Sequence, residues 1–111
     1  MLMVSIRRIW PDKEDRLRAW LEELNLRADE VRETFRDETV RAEQAYIVPG
    51  AAGPLLIYIM EVEDSERGAK AYAESTHKID AEHRAIMKEC LAEPVSLVPL
   101  YDVRIEAGRG G

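Results

Sequence analysis

The segment from His77 to His83 carries the side chains best suited to chemistry in this chain. It contains the only two histidines of the sequence, with Asp80 midway between them. Histidine is the side chain whose ordinary pKa lies closest to neutral pH, and a neighbouring carboxylate commonly orients its ring. The spacing therefore favours proton transfer, and we predict His83, Asp80 and His77 as candidate catalytic residues.

A helix is predicted over this segment, and it would spread the three side chains over about 120° with Asp80 in the middle. His83 also belongs to an apolar stripe of helical spacing, which contains Ile79, Ile86 and Cys90. We therefore expect His83 to face the space between this helix and the sheet, and His77 to lie closer to solvent. Two interpretations stay open: His83 is a general base oriented by Asp80, or a structural histidine while Asp80 pairs with Arg84.

Metal binding is a third interpretation of the same residues. Two histidines and one aspartate are a possible ligand set for zinc or iron. Helical metal sites usually place histidines four residues apart, which aims both rings at one point, and a spacing of six does not. We therefore predict no metal site. The sequence also lacks a glycine-rich phosphate loop, a nucleophile elbow and paired cysteines, so no cofactor is expected.

Length and composition indicate one small folded domain. The chain has 111 residues, of which 46% are hydrophobic and 34% charged. We assign residues 1–107 to a single domain and residues 108–111 to a flexible tail. The net charge of −6 argues against a nucleic-acid partner, and no apolar run approaches the ~20 residues of a membrane span. A single cysteine indicates a reducing compartment, so a cytoplasmic location is expected.

The order of predicted elements defines the fold class. Predicted strands cover residues 2–10, 40–48, 55–62 and 95–105. Predicted helices cover residues 13–37, 66–74 and about 77–92. This β-α-β-β-α-β order, with the second crossover split in two, predicts an α+β, ferredoxin-like domain with a four-stranded antiparallel sheet.

Several segments in this order resemble a known family. They are the first strand, residues 11–21, the hairpin, residues 75–83 and residues 89–91. The family consists of small, uncharacterised bacterial proteins and is similar to the dimeric α/β-barrel superfamily. That superfamily includes cofactor-free antibiotic-biosynthesis monooxygenases, small isomerases and mutarotases, haem-degrading enzymes and stress-response proteins. The resemblance implies two sheets packed face to face, with a cavity lined by the helix-free face of each sheet.

The strand at residues 55–62 independently predicts a homodimer. One of its faces carries Leu55, Ile57 and Ile59, and the other carries Leu56, Tyr58, Met60 and Val62. Helices can cover only one face of the sheet in a monomer. The second apolar face should therefore meet another sheet, and we expect the chain to pair into a dimeric α/β barrel.

Polar residues inside the predicted strands complete the candidate site. Arg7, Glu43 and Tyr58 are predicted to bind ligand, because a polar group on a cavity wall orients a bound molecule. Alternatively, Glu43 lies on an exposed rim and Tyr58 packs in the core. The predicted function is binding or transformation of a small apolar organic molecule near His83, as a cofactor-free oxygenase or isomerase. The alternative is a non-catalytic, dimeric ligand-sensing or stress-associated module whose barrel is filled by its own side chains.

Overall fold

The computed structural model describes residues 1–105, so the predicted tail at 108–111 lies outside the described residues. The strands are β1 (Leu2–Ile9), β2 (Val40–Val48), β3 (Leu55–Val62) and β4 (Leu91–Val95). The helices are α1 (Glu14–Leu26), α2 (Ala28–Glu38), α3 (Ser65–Ala73) and α4 (Lys78–Cys90). Between residues 1 and 105, no helix is both long and apolar enough to span a membrane.

Over these residues the strands form one antiparallel sheet in the order β2-β3-β1-β4. The order and connections confirm the predicted α+β, ferredoxin-like fold. The hairpin of β2 and β3 keeps its predicted bounds, because alternating and continuous apolar runs are strong strand signals. Asp64 caps α3 as its position suggests, since its Oδ1 accepts a hydrogen bond from the N–H of Arg67 at 3.0 Å.

The prediction of one long helix over residues 13–37 is wrong in one respect, because the helix is interrupted at Arg27. Arg27 has φ −108° and ψ 32°, outside the helical region. Its guanidinium binds the carboxylates of Glu23 at 2.9 Å, Glu30 at 2.7 Å and Glu82 at 2.7 Å. Glu82 belongs to α4, so the break is tied to a tertiary contact. No proline or glycine marks it in the sequence.

The last strand also differs from its prediction. The sequence indicated residues 95–105, but β4 is Leu91–Val95 and begins directly after α4. Pro94 lies inside β4 opposite Arg7. An edge strand tolerates proline because one side of it forms no ladder. Residues 96–105 have no regular secondary structure.

The core lies between the helices and one face of the sheet. Its buried cluster consists of Ile9, Leu17, Leu56, Cys90 and Leu91. Leu17, from α1, is 0% exposed, and Leu56, near the start of β3, is 1% exposed. Cys90 is free and fully buried, which confirms its assignment to the core stripe of α4.

The opposite face of the sheet carries apolar side chains that no helix covers. Val4 and Tyr46 on this face are 44% and 47% exposed. Ile57 and Ile59 lie between them and are partly buried. Both faces of β3 are therefore apolar, as the sequence indicates.

Candidate functional site

A cavity of about 320 Å³ lies between the helices and the sheet face that they cover. Its apolar walls include Leu24, Val31, Phe35, Met60 and Val62. The two-residue alternation of a strand turns Arg7, Glu43 and Tyr58 to this helix-covered side. The cavity expected on the helix-free face needs a second sheet, and it stays a prediction.

Tyr58 and Glu43 form a hydrogen-bonded pair on the cavity wall. The hydroxyl of Tyr58, on β3, donates to Oε1 of Glu43, on the neighbouring strand β2. Burial raises the pKa of Tyr58 far above its ordinary value, and the charge of Glu43 raises it further. Burial also raises the pKa of Glu43, while the bond from Tyr58 opposes that change. Glu43 is therefore a carboxyl group of increased basicity with a neutral donor beside it.

Arg7 also lines the cavity, but its charge is engaged. Its Nε donates to the carbonyl oxygen of Ala92 at 3.1 Å, which ties β1 to β4. The structure thus places all three predicted ligand-binding residues on one cavity. Arg41, by contrast, is exposed and pairs with Glu63 outside it.

His83 is held in the cavity by Trp20. Its Nδ1 lies 2.9 Å from the indole Nε1 of Trp20, across α1 and α4. The centroid of the His83 ring lies 6.1 Å from that of Tyr58 and 6.5 Å from that of Tyr72. Burial lowers the pKa of His83, which the nearby charge of Asp80 opposes. The imidazole is therefore neutral at pH 7.

The bond from Trp20 fixes the tautomer of His83. An indole N–H can only donate, so Nδ1 of His83 must be the unprotonated acceptor. The neutral ring then carries its hydrogen on Nε2. Within residues 1–105, no hydrogen bond engages that nitrogen. His83 is thus prepared to donate a hydrogen bond, and its ring is oriented by Trp20 where the sequence indicated Asp80.

Asp80 faces a different partner, Glu38. Each residue is only 6% exposed, and both line the cavity. In the described part of the chain, Oδ2 of Asp80 and Oε2 of Glu38 are buried without a hydrogen-bond partner. Burial and the adjacent Asp80 raise the pKa of Glu38 to about 8. The pair is a second acidic element of the site.

His77 lies apart from the cavity. It immediately precedes α4, and its Nε2 contacts Oδ2 of Asp37 at 2.7 Å. The side chain is 34% exposed, and the hydrogen bond to Asp37 raises its pKa. The structure therefore brings His83 and Asp80 to one cavity but leaves His77 with α2. In residues 1–105, no group of three or more His, Cys, Asp and Glu side chains is arranged to hold a metal ion.

A second, more open groove of about 520 Å³ runs along β2 and shares the wall formed by Glu43 and Tyr58. Arg18, Glu22 and Arg32 line it from α1 and α2. The groove has a more polar lining than the cavity and lacks His83, so we place the candidate site in the smaller cavity.

Trp20, Glu38 and Tyr72 are site residues that the sequence did not indicate. For Glu38 a signal exists, because it lies seven residues after Val31 and three after Phe35 on the apolar stripe of α2. A carboxylate on such a stripe is expected to face the interior. For Trp20 and Tyr72 the helical pattern indicates burial but not the His83 ring that they contact.

The fold and cavity define a small α+β protein of the ferredoxin-like type. A family model described as "Family of unknown function (DUF6176)" matches residues 2–105, so the chain belongs to that family. The structure of Rv0793 from Mycobacterium tuberculosis is similar, with a TM-score of 0.55 and 22% sequence identity. That match covers 93% of this chain and 97% of the other, and it concerns the fold. No curated protein matches the chain.

Proposed function

We propose that the protein binds a small, mainly apolar organic molecule in the cavity beside His83 and isomerises it without a cofactor. The observation that carries the proposal is the combination of a neutral donor, His83, with a carboxyl group of raised pKa, Glu43, in one largely apolar cavity. Proton transfer next to a carbonyl group needs a base and a donor to the developing oxyanion.

Each group has one role in this reaction. The carboxylate of Glu43 takes a proton from the carbon next to the carbonyl, while Nε2–H of His83 donates to the carbonyl oxygen. Where the enolate is conjugated with a C=C bond, Glu43 then returns the proton to its far carbon. The double bond shifts and the proton is conserved, so that no oxidant or reductant is needed. Burial suits Glu43 to this role, because it raises the pKa of the base towards neutrality.

Deuterium exchange tests this proposal without knowledge of the natural substrate. The protein is incubated in D₂O with a panel of cyclohexanone, acetophenone and tetralone, and deuterium next to the carbonyl is measured by mass spectrometry. We expect exchange above the buffer rate for at least one ketone, and a loss of about 10²-fold or more in His83→Gln and Glu43→Gln. His77→Gln is the matched control and should keep the full rate. An equal loss in the His77 variant, or no exchange above buffer, contradicts the catalytic proposal.

The bond from Tyr58 favours a second candidate, a non-catalytic ligand sensor. A hydroxyl that donates to Glu43 stabilises the carboxylate and weakens it as a base. The two candidates differ in the same assay. A ketone that binds saturably and shifts the His83 ring signals, but gains no deuterium, supports the sensor.

We further propose that the protein works as a homodimer joined through the helix-free face of the sheet. That face is supported as an interface by its exposed or partly buried apolar side chains, including Leu2, Val4, Ile6, Tyr46, Ile57 and Ile59. The segment 96–105 adds exposed side chains, which are Leu97, Val98, Leu100, Tyr101, Val103 and Ile105. A second copy would bury both, and about 1,500 Å² or more in total is expected for a stable dimer.

Light scattering tests the dimer. The monomer has a mass of 12.7 kDa, and twice that mass is expected at micromolar concentration. Ile57→Glu should shift the protein to monomer because it places a charge inside the interface. Leu26→Glu is the matched control, since Leu26 is 87% exposed and far from that face, and it should remain dimeric. A wild-type mass of one chain contradicts the dimer.

A cytoplasmic setting without nucleic-acid or membrane partners is part of the same proposal. It is supported by the net charge of −6 and by a single cysteine, which is free and buried.

A further inference from the structure

We propose that the ligand of this cavity carries a protonated amine, which binds between Glu38 and Asp80 in place of a proton that the two carboxyl groups share. The inference rests on the proposed binding function and names the chemical class of the ligand. It concerns a part of the cavity to which the proposed reaction assigns no role.

The two carboxyl groups provide the geometry. Glu38 is the last residue of α2, and Asp80 lies in the first turn of α4, so two helix ends bring them together. Both side chains are 94% buried, since 6% of each is exposed, and both line the cavity. Each retains one buried oxygen without a hydrogen-bond partner within residues 1–105. A buried, unsatisfied carboxylate oxygen is costly, so this pair needs donors that the described protein does not supply.

One shared proton satisfies the pair in the absence of a ligand. The end of α2 disfavours negative charge and the first turn of α4 favours it, so the proton resides on Glu38. This agrees with the pKa of Glu38, which burial and Asp80 raise to about 8. The pair then carries one negative charge at neutral pH, with a single hydrogen between its two oxygens.

The charges around the pair select a cation. The titratable and charged groups that face it are Asp37 on α2, Glu43 on β2, Tyr58 on β3, Tyr72 on α3, His83 on α4 and Arg7 on β1. His83 is neutral, and the guanidinium of Arg7 is engaged by Ala92. Arg84 on α4 is also close to Tyr72 and His83, but its Nη1 donates to the carbonyl oxygen of Tyr72 at 2.8 Å. Carboxyl groups therefore dominate this end of the cavity, and a ligand anion would be repelled.

An ammonium group matches the pair better than other donors do. It has three hydrogens, enough for both unsatisfied oxygens and one more acceptor, whereas a hydroxyl has one hydrogen to donate. Charge-assisted hydrogen bonds to carboxylates are about twice as strong as neutral ones. A metal ion is not indicated, because the His, Cys, Asp and Glu side chains of residues 1–105 do not converge suitably.

The surroundings of the pair define the rest of the ligand. Val40 and Val62 are buried next to the acidic end, and both line the cavity. Gly68 on α3 lies so close to Glu38 that an added Cβ would be 2.4 Å from the Glu38 carbonyl oxygen. Val40 and Val62 therefore give this end of the cavity apolar walls beside the carboxyl groups. This end fits a primary amine on an unbranched, apolar body.

Binding of the amine should release a proton, because the ammonium group replaces the proton that Glu38 holds. When the amine binds, Glu38 loses its proton to the buffer and the pair holds the ammonium group as two carboxylates. The amine keeps its own proton, because primary amines titrate at about pH 10. About one proton should therefore leave per amine bound near pH 7, and the release should vanish at pH values well above 8, where Glu38 is already ionised.

Isothermal titration calorimetry with three matched probes tests the inference. The probes are phenethylamine, phenethyl alcohol and phenylpropanoate, which share an apolar body and differ in the charge of the head group. Each is titrated at neutral pH into the full-length protein in phosphate and in Tris, whose different ionisation enthalpies report proton release. We expect the amine to bind about tenfold more tightly than the alcohol, with proton release, and the anion to bind most weakly.

Variants assign the effect to the pair. Glu38→Gln should abolish proton release and reduce the affinity for the amine to that for the alcohol, and Asp80→Asn should reduce it similarly. Glu33→Gln is the matched control, since Glu33 is an exposed glutamate on the same helix, and it should match wild type. Circular dichroism checks that each variant is folded, and Asp80→Asn substitutes for Glu38→Gln if that variant is not.

The outcomes separate this inference from the proposed function. If alcohol or anion binds as tightly as the amine, or if the amine binds without proton release, the amine assignment is overturned while the binding cavity stands. If no probe binds, the amine assignment is overturned. The proposed binding function is overturned with it only if the ketones of the exchange assay also fail to bind and to shift the ring signals of His83.

Discussion

The indole N–H of Trp20 donates to Nδ1 of His83 at 2.9 Å, and this bond determines what the histidine can do. It leaves the ring hydrogen on Nε2 and favours the neutral form, in agreement with the lowered pKa of His83. A base needs a free lone pair, whereas this ring presents a hydrogen. The proposed reaction therefore uses His83 as the donor to ligand oxygen and Glu43 as the base.

Replacement of Trp20 tests this relationship. Trp20→Phe keeps an aromatic ring but removes the donor, so the neutral form of His83 loses its hydrogen bond and its pKa should rise towards 6.5. The free energy of unfolding should fall by about 1 kcal/mol or more from the lost bond and volume. Proton NMR titration of the two rings measures both pKa values. His77 is the internal control and should stay above 6.5, and an unchanged pKa of His83 contradicts the role of Trp20.

Glu38 should make stability depend on pH in an unusual direction. Its pKa is raised from 4.5 to about 8 in the folded protein, so the folded state binds the proton more tightly than the unfolded state. The resulting stabilisation is complete below pH 4.5 and is lost as the pH rises through 8. Glu38→Gln removes this dependence, and at about pH 9 it should be more stable than wild type by about 1–3 kcal/mol. Urea unfolding at several pH values measures this. If the stability of Glu38→Gln depends on pH as strongly as that of wild type, Glu38 does not hold the proposed proton.

The sequence predicted the first three strands and the helical positions, because both depend on local periodicity, but it misplaced the last strand. The Glu38–Asp80 carboxyl pair and the Trp20–His83 hydrogen bond depend instead on how the helices pack. The hydrogen bond joins two residues that are 63 positions apart in the sequence. Likewise, the break at Arg27 depends on an ion pair with Glu82 of α4. Alternation along the strands puts Tyr58 and Glu43 on one face, but it does not say which face the helices cover. The position of the cavity therefore required the structure.

Leu17 and Leu26 provide a matched pair for the core. Both lie on α1, but Leu17 is 0% exposed and Leu26 is 87% exposed. Leu17→Ala should lower the free energy of unfolding by roughly 2–5 kcal/mol, because it leaves a cavity in the packed cluster. Leu26→Ala should change it by less than about 0.5 kcal/mol. Chemical denaturation measures both free energies. Similar values for the two variants would show that Leu17 is not part of the core.

Gly68 allows α3 to approach the end of α2. An added Cβ would lie 2.4 Å from the carbonyl oxygen of Glu38, a backbone atom that cannot rotate away. Gly68→Ala should therefore destabilise the fold by about 1–3 kcal/mol despite the higher helix propensity of alanine. It should also weaken phenethylamine binding, since Glu38 moves with the helix. Lys70→Ala, an exposed change on α3, is the control and should affect neither property; a stabilising Gly68→Ala contradicts the close packing.

The central claim is that a small molecule binds between the helices and the sheet, beside His83. The two tryptophans give the most direct measurement. Neither lines the cavity, but Trp20 is 7% exposed and bonded to His83, which does, whereas Trp10 is 51% exposed. Proton–nitrogen NMR spectra of the two indole N–H groups are recorded during titration with the ketones and amines named above. We predict saturable shifts of the Trp20 signal with a constant Trp10 signal. Equal shifts of both signals, or a constant Trp20 signal with every compound, would contradict the claim.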